Sequence, residues 1–241
     1  MILASKICLD CINKQQCTEG CDFFTFYNNY SFCEWLFGAH NANFTAIAHN
    51  AGKFDAIFLL KYIVQSFISI YAMPEIICNG TKILSLVYKD VRVIDSLNFL
   101  PMPLEKFAKT FNLNALKKGF FPHRFNTIEN QNYEGVLPPR EYYEPDFFHT
   151  EKRQEFNTWY ALNQNKTYNF KQELFDYCKS DVYILREACL SFRDIIFKQT
   201  GICPFSSTIT IASLSHLIYR TQFLPSKSIA IIPEYGYNME Q

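Results

Sequence analysis

The chain has 241 residues, and its 23 lysine and arginine residues balance 23 aspartate and glutamate residues, so the formal net charge is zero. A hydrophobic content of 49% is enough to bury a core and excludes a wholly disordered chain. No apolar run reaches the roughly 20 residues of a membrane helix, and the first residues lack the apolar core of a signal peptide. We therefore expect a nuclear or cytoplasmic protein that is not secreted.

The first 33 residues are rich in Cys and Asn and have few periodic apolar positions, so they are predicted to be irregular. The chain has nine cysteines, an odd number, which argues against a disulfide framework in an intracellular protein. Four of them follow the pattern C-x2-C-x5-C-x3-C, and two close pairs of thiolates suit tetrahedral zinc. A Cys-rich segment without a metal is an equal alternative. The four are Cys8, Cys11, Cys17 and Cys21.

Strands and helices alternate over the rest of the chain, which predicts the α/β class. Prolines and the absence of periodicity indicate an irregular insertion at 119–149. The chain is divided into a Cys-rich segment (1–33), a domain (34–200) and a helical C-terminal segment (201–241). The predicted elements are a strand at Thr45–Asn50, a turn at Ala51-Gly52, a helix at Asp55–Ile70, a hairpin of strands Lys82–Lys89 and Val91–Asp95, a short helix at Leu104–Phe111, a long helix at Phe170–Lys198 and a last helix within Thr208–Tyr219.

The sequence HNAGKFD, from His49 to Asp55, lies where a strand passes through a turn into a helix, the place where open α/β sheets present ligands. It is not a phosphate-binding P-loop, because Ile47 and Phe54 stand where that motif needs Gly and Ser or Thr. An Asp at this position is most often a helix cap. The amide of Asn50 and the ring of Phe54 also allow contacts with a nucleotide backbone and base.

A second candidate is the pair Tyr177 and Asp181 in the sequence FDYCKSDVYIL. The i, i+4 spacing places both side chains on one helix face. A carboxylate there could bind a hard divalent cation while the phenol orients an attacking water. The alternative is a surface Asp beside a half-buried Tyr.

A third candidate is the strand end DSLNFLPMP, which contains Ser96 and Leu97 and precedes a basic stretch with Lys117 and Lys118. These residues could contact the backbone of a single nucleic-acid strand, since a local basic stretch can hold phosphate even in a neutral chain. The alternative is a strand that ends before a proline turn.

In this order, HN-x-x-KFD, DSL-x-FLP, LKKG and YCKSD resemble the 3′–5′ exonuclease domain of protein-primed family B DNA polymerases. The nearest type is that of Polinton/Maverick transposons and related viral and organellar enzymes. The resemblance covers nearly the whole chain. It implies a ribonuclease H-like α/β fold, a mixed sheet flanked by helices that lacks its first strand. It also implies a DNA-directed DNA polymerase of DNA replication, with DNA and a terminal protein primer as partners.

The resemblance also implies roles for single residues. Asp55 and Asp181 would each be a ligand of paired Mg²⁺ or Mn²⁺ ions, and Tyr177 would orient the nucleophilic water. One lysine of the pair Lys117-Lys118 would lie near the scissile phosphate. The contacts with the single-stranded 3′ end would come from His49, Asn50, Phe54, Ser96 and Leu97.

The first motif of that family, a D-x-E pair, does not occur near Met1, and no palm motif occurs before Gln241. The sequence therefore predicts a fragment that hydrolyses little or no DNA by itself. One alternative is a non-catalytic nucleic-acid-binding or zinc-containing module derived from such a polymerase. Another is an unrelated α/β protein in which Asp55 and Asp181 lie far apart.

Overall fold

A mixed α/β arrangement is seen in the computed structural model, which describes residues 1–13, 16–17, 20–66, 73–113, 119–225 and 228. Short 3-10 turns connect many of the regular elements. In chain order these elements are β1 (Ile2–Ser5), α1 (Leu9–Ile12), β2 (Phe23–Phe26), α2 (Asn29–Leu36), β3 (Thr45–Ala48), α3 (Asp55–Gln65), β4 (Glu75–Asn79), β5 (Lys82–Tyr88), β6 (Val91–Asp95), α4 (Phe107–Thr110), β7 (Glu134–Val136), α5 (Thr150–Asn163), β8 (Thr167–Asn169), α6 (Phe170–Thr200), α7 (Pro204–Ser207) and α8 (Ile211–Ile218).

The central sheet has the strand order β3-β6-β5-β4. β3 pairs with β6 in parallel, whereas β5 pairs antiparallel with both β6 and β4. The tight turn between β5 and β6 places Lys89 and Asp90 at φ values of 48° and 60°. Two successive residues with positive φ are typical of the turn that best matches the twist of a hairpin. The predicted hairpin is therefore confirmed, with its turn at Lys89-Asp90.

Each face of this sheet has its own hydrophobic core, because side chains alternate along every strand. Val93 faces a core formed with α2 and α3, while its neighbour Ile94 faces a core formed with α4 and α6. The 31-residue helix α6 carries Ile184 and Ala188 into the second core, both fully buried. The sheet is thus covered by helices on both faces, as the α/β class requires.

The prediction that residues 1–33 are irregular was wrong. β1 and β2 form an antiparallel hairpin in which Ile2 is opposite Phe26 and Ser5 is opposite Phe23. The strands are short, and the hairpin is stabilised by contacts outside it, including Phe24 and Phe26 against the ring of Trp35. Such contacts leave no periodic signal, because each strand contributes only four residues.

The segment 119–149 is mostly non-regular, as predicted, and packs a core of its own with α5, β8 and the start of α6. Sequence periodicity did not predict α5, β4 or β8. We call the core formed by the segment 119–149, α5, β8 and the start of α6 the aromatic cluster. Its buried members are Phe121, Phe125, Leu137, Tyr143, Phe156, Tyr168 and Phe170.

The remaining predicted elements agree with the structure within a few residues. The strand after Thr45, the short helix before Phe111, the long helix that starts at Phe170 and the helix before Tyr219 are all present. α3 ends at Gln65, and residues 67–70 of the predicted helix lie outside the described part of the chain. Among the helices of the described residues, none is long and apolar enough to cross a membrane.

Candidate functional site

A buried carboxylate connects the predicted motif after β3 with the end of β6. Asp95 is the last residue of β6, and its exposed fraction is 1%. Its Oδ1 accepts hydrogen bonds from the backbone N–H groups of Asn50 and Leu97, both at 2.9 Å, and its Oδ2 accepts one from Gly52 at 3.1 Å. Two charge-assisted hydrogen bonds, from Asn50 and Gly52, therefore hold the turn after β3 against the end of β6, and the third, from Leu97, caps the 3-10 turn that follows β6. We call residues 49–52 together with 95–98 the sheet junction.

The charge of Asp95 also faces a lysine from the neighbouring strand. Lys82 Nζ lies 3.8 Å from Asp95 Oδ2 and donates a hydrogen bond to Asn98 Oδ1 at 2.7 Å. The sequence assigned no role to Asp95 or Lys82. The signal that could have identified Asp95 is an acidic residue at the last position of an apolar strand, because a buried carboxylate there needs several donors.

The backbone of the junction has little freedom. Asn50 adopts a left-handed conformation with φ of 61°, which Asn tolerates better than most residues. A Cβ atom on Gly52 would lie 2.5 Å from the carbonyl oxygen of Ile83 on β5. Glycine is therefore needed at this position because the turn passes directly against a neighbouring strand.

His49 and Ser96 are side-chain partners across the junction. Ser96 is fully buried, and its hydroxyl donates a hydrogen bond to the carbonyl of Ala48 at 3.1 Å. His49 Nδ1 lies 2.9 Å from the same hydroxyl oxygen, so Nδ1 carries the proton and donates to it. The His49 ring also packs edge-on against Phe107, with 5.1 Å between ring centroids. Both side chains thus have defined positions before any ligand binds.

Phe54 and Asp55 follow the junction and lead into α3. The ring of Phe54 is 60% exposed, although a large apolar side chain would usually be buried. Asp55 begins the helix, where the N-terminal dipole favours a negative charge. Asp55 as a whole residue is exposed, but its carboxyl group is partly buried. This partial burial raises the pKa of the Asp55 carboxyl, and repulsion from Asp95 raises it further. The sheet junction is therefore followed by the exposed side chain of Phe54 and by the Asp55 carboxylate, which is near enough to Asp95 for its pKa to be raised by that charge.

Tyr177 and Asp181 lie on α6, as their spacing predicts. The ring of Tyr177 stacks on Phe121 with 4.9 Å between centroids and meets the edge of His123 at 5.6 Å. One carboxylate oxygen of Asp181 is buried. The pKa of Cys178 is raised, first by burial and then by the negative charge of Asp181. The aromatic cluster thus fixes the tyrosine ring one turn away from a partly buried carboxylate.

The four cysteines near the start of the chain lie together. Their sulfur atoms are all within 4.8 Å of one another, and each thiol is free of disulfide bonding. This four-cysteine cluster could hold a zinc ion. Of the predicted site residues, the structure brings together His49, Asn50, Ser96 and Leu97 at the junction, Tyr177 and Asp181 on one helix, and the four cysteines in one cluster. Lys117 and Lys118 lie outside the described residues.

Residues 39–239 match the family described as DNA polymerase type B, organellar and viral. This match spans well over half of the chain. The chain belongs to the type B DNA polymerase family. The matched region contains the sheet junction, Asp55 and both α6 residues, whereas the four-cysteine cluster lies before it.

The type B assignment agrees with several fungal relatives. A probable DNA polymerase of Ascobolus immersus is 28% identical over 196 residues, and one of Podospora anserina is 27% identical over 145 residues. A DNA polymerase of Kluyveromyces lactis is 25% identical over 184 residues. These alignments cover 75%, 60% and 72% of this chain, but only 15%, 12% and 18% of the relatives. The chain thus spans less than a fifth of each relative. No solved structure matches it.

Proposed function

We propose that this chain forms the 3′–5′ exonuclease region of a type B DNA polymerase and that the sheet junction binds the single-stranded 3′ end of DNA. The observation that carries the proposal is the exposed side chain of Phe54, which stands with Asp55 directly after a turn that Asp95 holds in place. A rigid aromatic platform beside a carboxylate suits an unpaired base and a cation-bound phosphate.

The proposed DNA contacts divide by how accessible each residue is. Phe54 is open to solvent and would stack against a base. The backbone N–H groups of Asn50 and Leu97 are already bonded to Asp95, so the side chains of these two residues would make the contacts. Ser96 is fully buried and would act through His49, whose ring it orients.

The proposed catalytic residues are Asp55, Asp181 and Tyr177. Carboxylate oxygens are the donors that Mg²⁺ and Mn²⁺ prefer, so the donor set fits such ions, with Asp55 and Asp181 each as a ligand. Paired divalent ions would there stabilise the attacking and leaving oxygens of an in-line displacement. Tyr177, held by Phe121 and His123, would orient the attacking water through its phenol.

The packing of α6 on the central sheet supports one common site for the motif HNAGKFD and the pair Tyr177 and Asp181. Ile184 lies one turn after Asp181, and it shares a hydrophobic core with Ile94, the residue before Asp95. Ile47, two residues before His49, packs against the same core. The turn after β3 and the pair on α6 therefore each lie one helical turn or a few residues away from members of the same hydrophobic core.

The finer parts of the proposal concern the whole polymerase. A lysine of the pair Lys117-Lys118 would lie near the scissile phosphate. A complete enzyme would copy DNA from a terminal protein primer, as the resemblance to the Polinton/Maverick type implies. The exonuclease region would then serve proofreading and the handling of single strands during DNA replication.

The direct test is single-stranded DNA binding, measured by fluorescence anisotropy with a 5′-labelled oligonucleotide that has a free 3′ hydroxyl. The substitution Phe54→Ala should weaken binding by roughly 5- to 150-fold, since stacking on an aromatic ring contributes about 1–3 kcal/mol per base. The matched control is Phe147→Ala, because Phe147 is 83% exposed but belongs to a different segment, the 3-10 turn Pro145–Phe147. Equal affinity of Phe54→Ala and the unmodified chain would refute the proposed interface.

Catalysis is tested on the same oligonucleotide with Mg²⁺ or Mn²⁺. Nucleotide release that is lost in Asp55→Asn and Asp181→Asn but kept in Asp194→Asn would support the exonuclease assignment. Asp194 is the matched control because it lies on α6, its carboxylate is about half exposed, and it pairs with Arg193 and Lys198 of the same helix. Binding without release would agree with the expectation that this chain hydrolyses little or no DNA by itself, and also with the alternative, a region of the polymerase that holds DNA without cutting it.

A further inference from the structure

The four-cysteine cluster has the dimensions of a single-ion site. Cys8 Sγ lies 3.6 Å from Cys11 Sγ and 3.9 Å from Cys17 Sγ. A tetrahedral zinc ion with bonds of about 2.3 Å to sulfur separates its ligands by about 3.8 Å. A disulfide would instead need about 2.05 Å between two sulfurs. The observed spacing therefore agrees with four thiolates around one ion.

The local backbone supports this arrangement. Cys8 is the N-cap residue of α1 and Cys11 lies within its single turn, so the C-x2-C spacing turns both sulfurs to one side. The backbone N–H of Cys21 lies 3.4 Å from Cys17 Sγ and donates to it. Hydrogen bonds from backbone N–H groups to sulfur stabilise thiolates, and a metal ligand must be a thiolate.

The cluster lies in the connection between β1 and β2. This connection is closed at its base by a hydrogen bond from Lys6 N–H to the carbonyl of Asp22 at 2.9 Å. The hairpin has strands of only four residues, and a two-stranded hairpin is marginally stable by itself. A metal ion that ties its connecting loop together would supply the missing stability.

The other side of the hairpin lies on α6. Arg186 Nη1 donates a hydrogen bond to Ser5 Oγ at 3.1 Å, and its guanidinium lies 4.4 Å from the centroid of the Tyr183 ring. Tyr183 stacks on Phe23 of β2 with 6.4 Å between centroids. Tyr183 is two residues after Asp181, so the hairpin packs against the part of α6 that carries Tyr177 and Asp181.

We propose that Cys8, Cys11, Cys17 and Cys21 bind one Zn²⁺ ion in a closed structural site and that this ion fixes the β1–β2 hairpin against α6. Four protein ligands leave no open position, so the ion serves structure and not catalysis. An iron–sulfur cluster fits less well, because its cysteines bind different iron atoms and lie farther apart. The inference stands on the cluster itself and does not depend on the exonuclease assignment.

The first test is the metal content of the purified full chain, measured by mass spectrometry of the elements. One zinc per chain is expected. Cys17→Ser and Cys21→Ser should lose it, whereas Cys78→Ser, which changes an exposed cysteine on β4, should keep it. Replacement by Co²⁺ should give the visible absorption of tetrahedral thiolate coordination, with intensity that falls in the same two variants.

The second test uses the unmodified chain, so it does not depend on the folding of a variant. Removal of the ion with a chelator should accelerate hydrogen exchange in β1 and β2 on the order of tenfold or more, while β5 and β6 keep their protection. Readdition of Zn²⁺ should restore it. Iron in place of zinc, a mass lower by the hydrogens of a disulfide, zinc retained in Cys17→Ser and Cys21→Ser, or unchanged exchange after chelation would each overturn the proposal.

Discussion

The sheet junction and the aromatic cluster position predicted site residues in different ways. The junction fixes the turn in HNAGKFD with hydrogen bonds, whereas the aromatic cluster fixes Tyr177 with ring packing. At the junction, the buried Asp95 carboxylate accepts three backbone hydrogen bonds and faces Lys82. In the aromatic cluster, Tyr177 is held by ring contacts with Phe121 and His123. The hydroxyls of the cluster residues Tyr143 and Tyr168 are buried and, among the described residues, have no hydrogen-bond partner.

Hydrogen bonds to a carboxylate and packing between rings differ in how precisely they fix the residues that they hold. Hydrogen bonds to one carboxylate fix a turn to within tenths of an ångström, and they fail together when the carboxylate is lost. Ring packing spreads its stabilisation over many weak contacts and tolerates the loss of a single polar atom. We therefore expect the junction to be sensitive to small changes and the aromatic cluster to be tolerant of them.

The largest effect is expected from Asp95→Ala. This substitution leaves one buried and two partly buried N–H groups without their acceptor and Lys82 without its carboxylate, so it should lower the free energy of unfolding by about 3–5 kcal/mol. Urea unfolding at neutral pH measures it. The control Asp194→Ala, which removes an exposed carboxylate from α6, should change the value by less than about 0.5 kcal/mol. A loss below about 1 kcal/mol for Asp95→Ala would show that the junction is not held by this carboxylate.

A smaller effect of opposite sign is expected in the aromatic cluster. Tyr143→Phe and Tyr168→Phe each remove a buried hydroxyl that has no acceptor in the described residues, so each should raise the free energy of unfolding by about 0.5–1 kcal/mol. The matched control is Tyr160→Phe, because the Tyr160 hydroxyl donates to the carbonyl of Pro138 at 3.2 Å. That control should lose stability. Destabilisation by Tyr143→Phe and Tyr168→Phe would mean that the cluster depends on polar contacts as the junction does.

The smallest effect concerns pH. Burial, followed by repulsion from Asp176, raises the pKa of Glu173 above its ordinary value. Folding therefore favours the protonated form, and stability is lost as pH rises from the unfolded pKa through the folded pKa. Glu173→Gln removes this loss, so it should gain a few tenths of a kcal/mol at pH 7, where solvent exposure keeps the effect small.

Below about pH 4 the same variant should match the unmodified chain, because Glu173 is then protonated in both folded and unfolded states. Thermal unfolding across this pH range checks the prediction. Glu155→Gln on the exposed side of α5 controls for the loss of a surface charge. A gain that persists at low pH would come from something other than the carboxylate charge.

Much of the fold could be predicted from local patterns. The helical spacing of apolar residues predicted α6 to within a few residues, and two apolar runs around Asp90 predicted the β5–β6 hairpin. These elements are determined by residues close together in sequence. The β1–β2 hairpin was missed because its strands are short and depend on partners such as Trp35 and Arg186.

The candidate site also divides into residues that local sequence patterns predicted and residues that only distant contacts bring together. From the sequence, His49, Asp55 and Asp181 were predicted as site residues through the resemblance in motif order, and the cysteines were assigned to one group from their spacing, which the structure confirms. The sequence assigned no role to Asp95, whose hydrogen bond with Asn50 spans 45 residues and exists only because β3 and β6 pair in parallel. Whether a pair so distant in sequence meets is decided by strand order.

By itself, the sequence determined the order of the motifs, the type of most elements and the chemistry available at each motif, since these follow from residue type and short-range periodicity. Only the tertiary structure decided that a carboxylate at the end of β6 holds the turn after β3. It also decided that aromatic rings fix Tyr177. The physical reason is that these contacts join segments whose meeting depends on the packing of the whole chain.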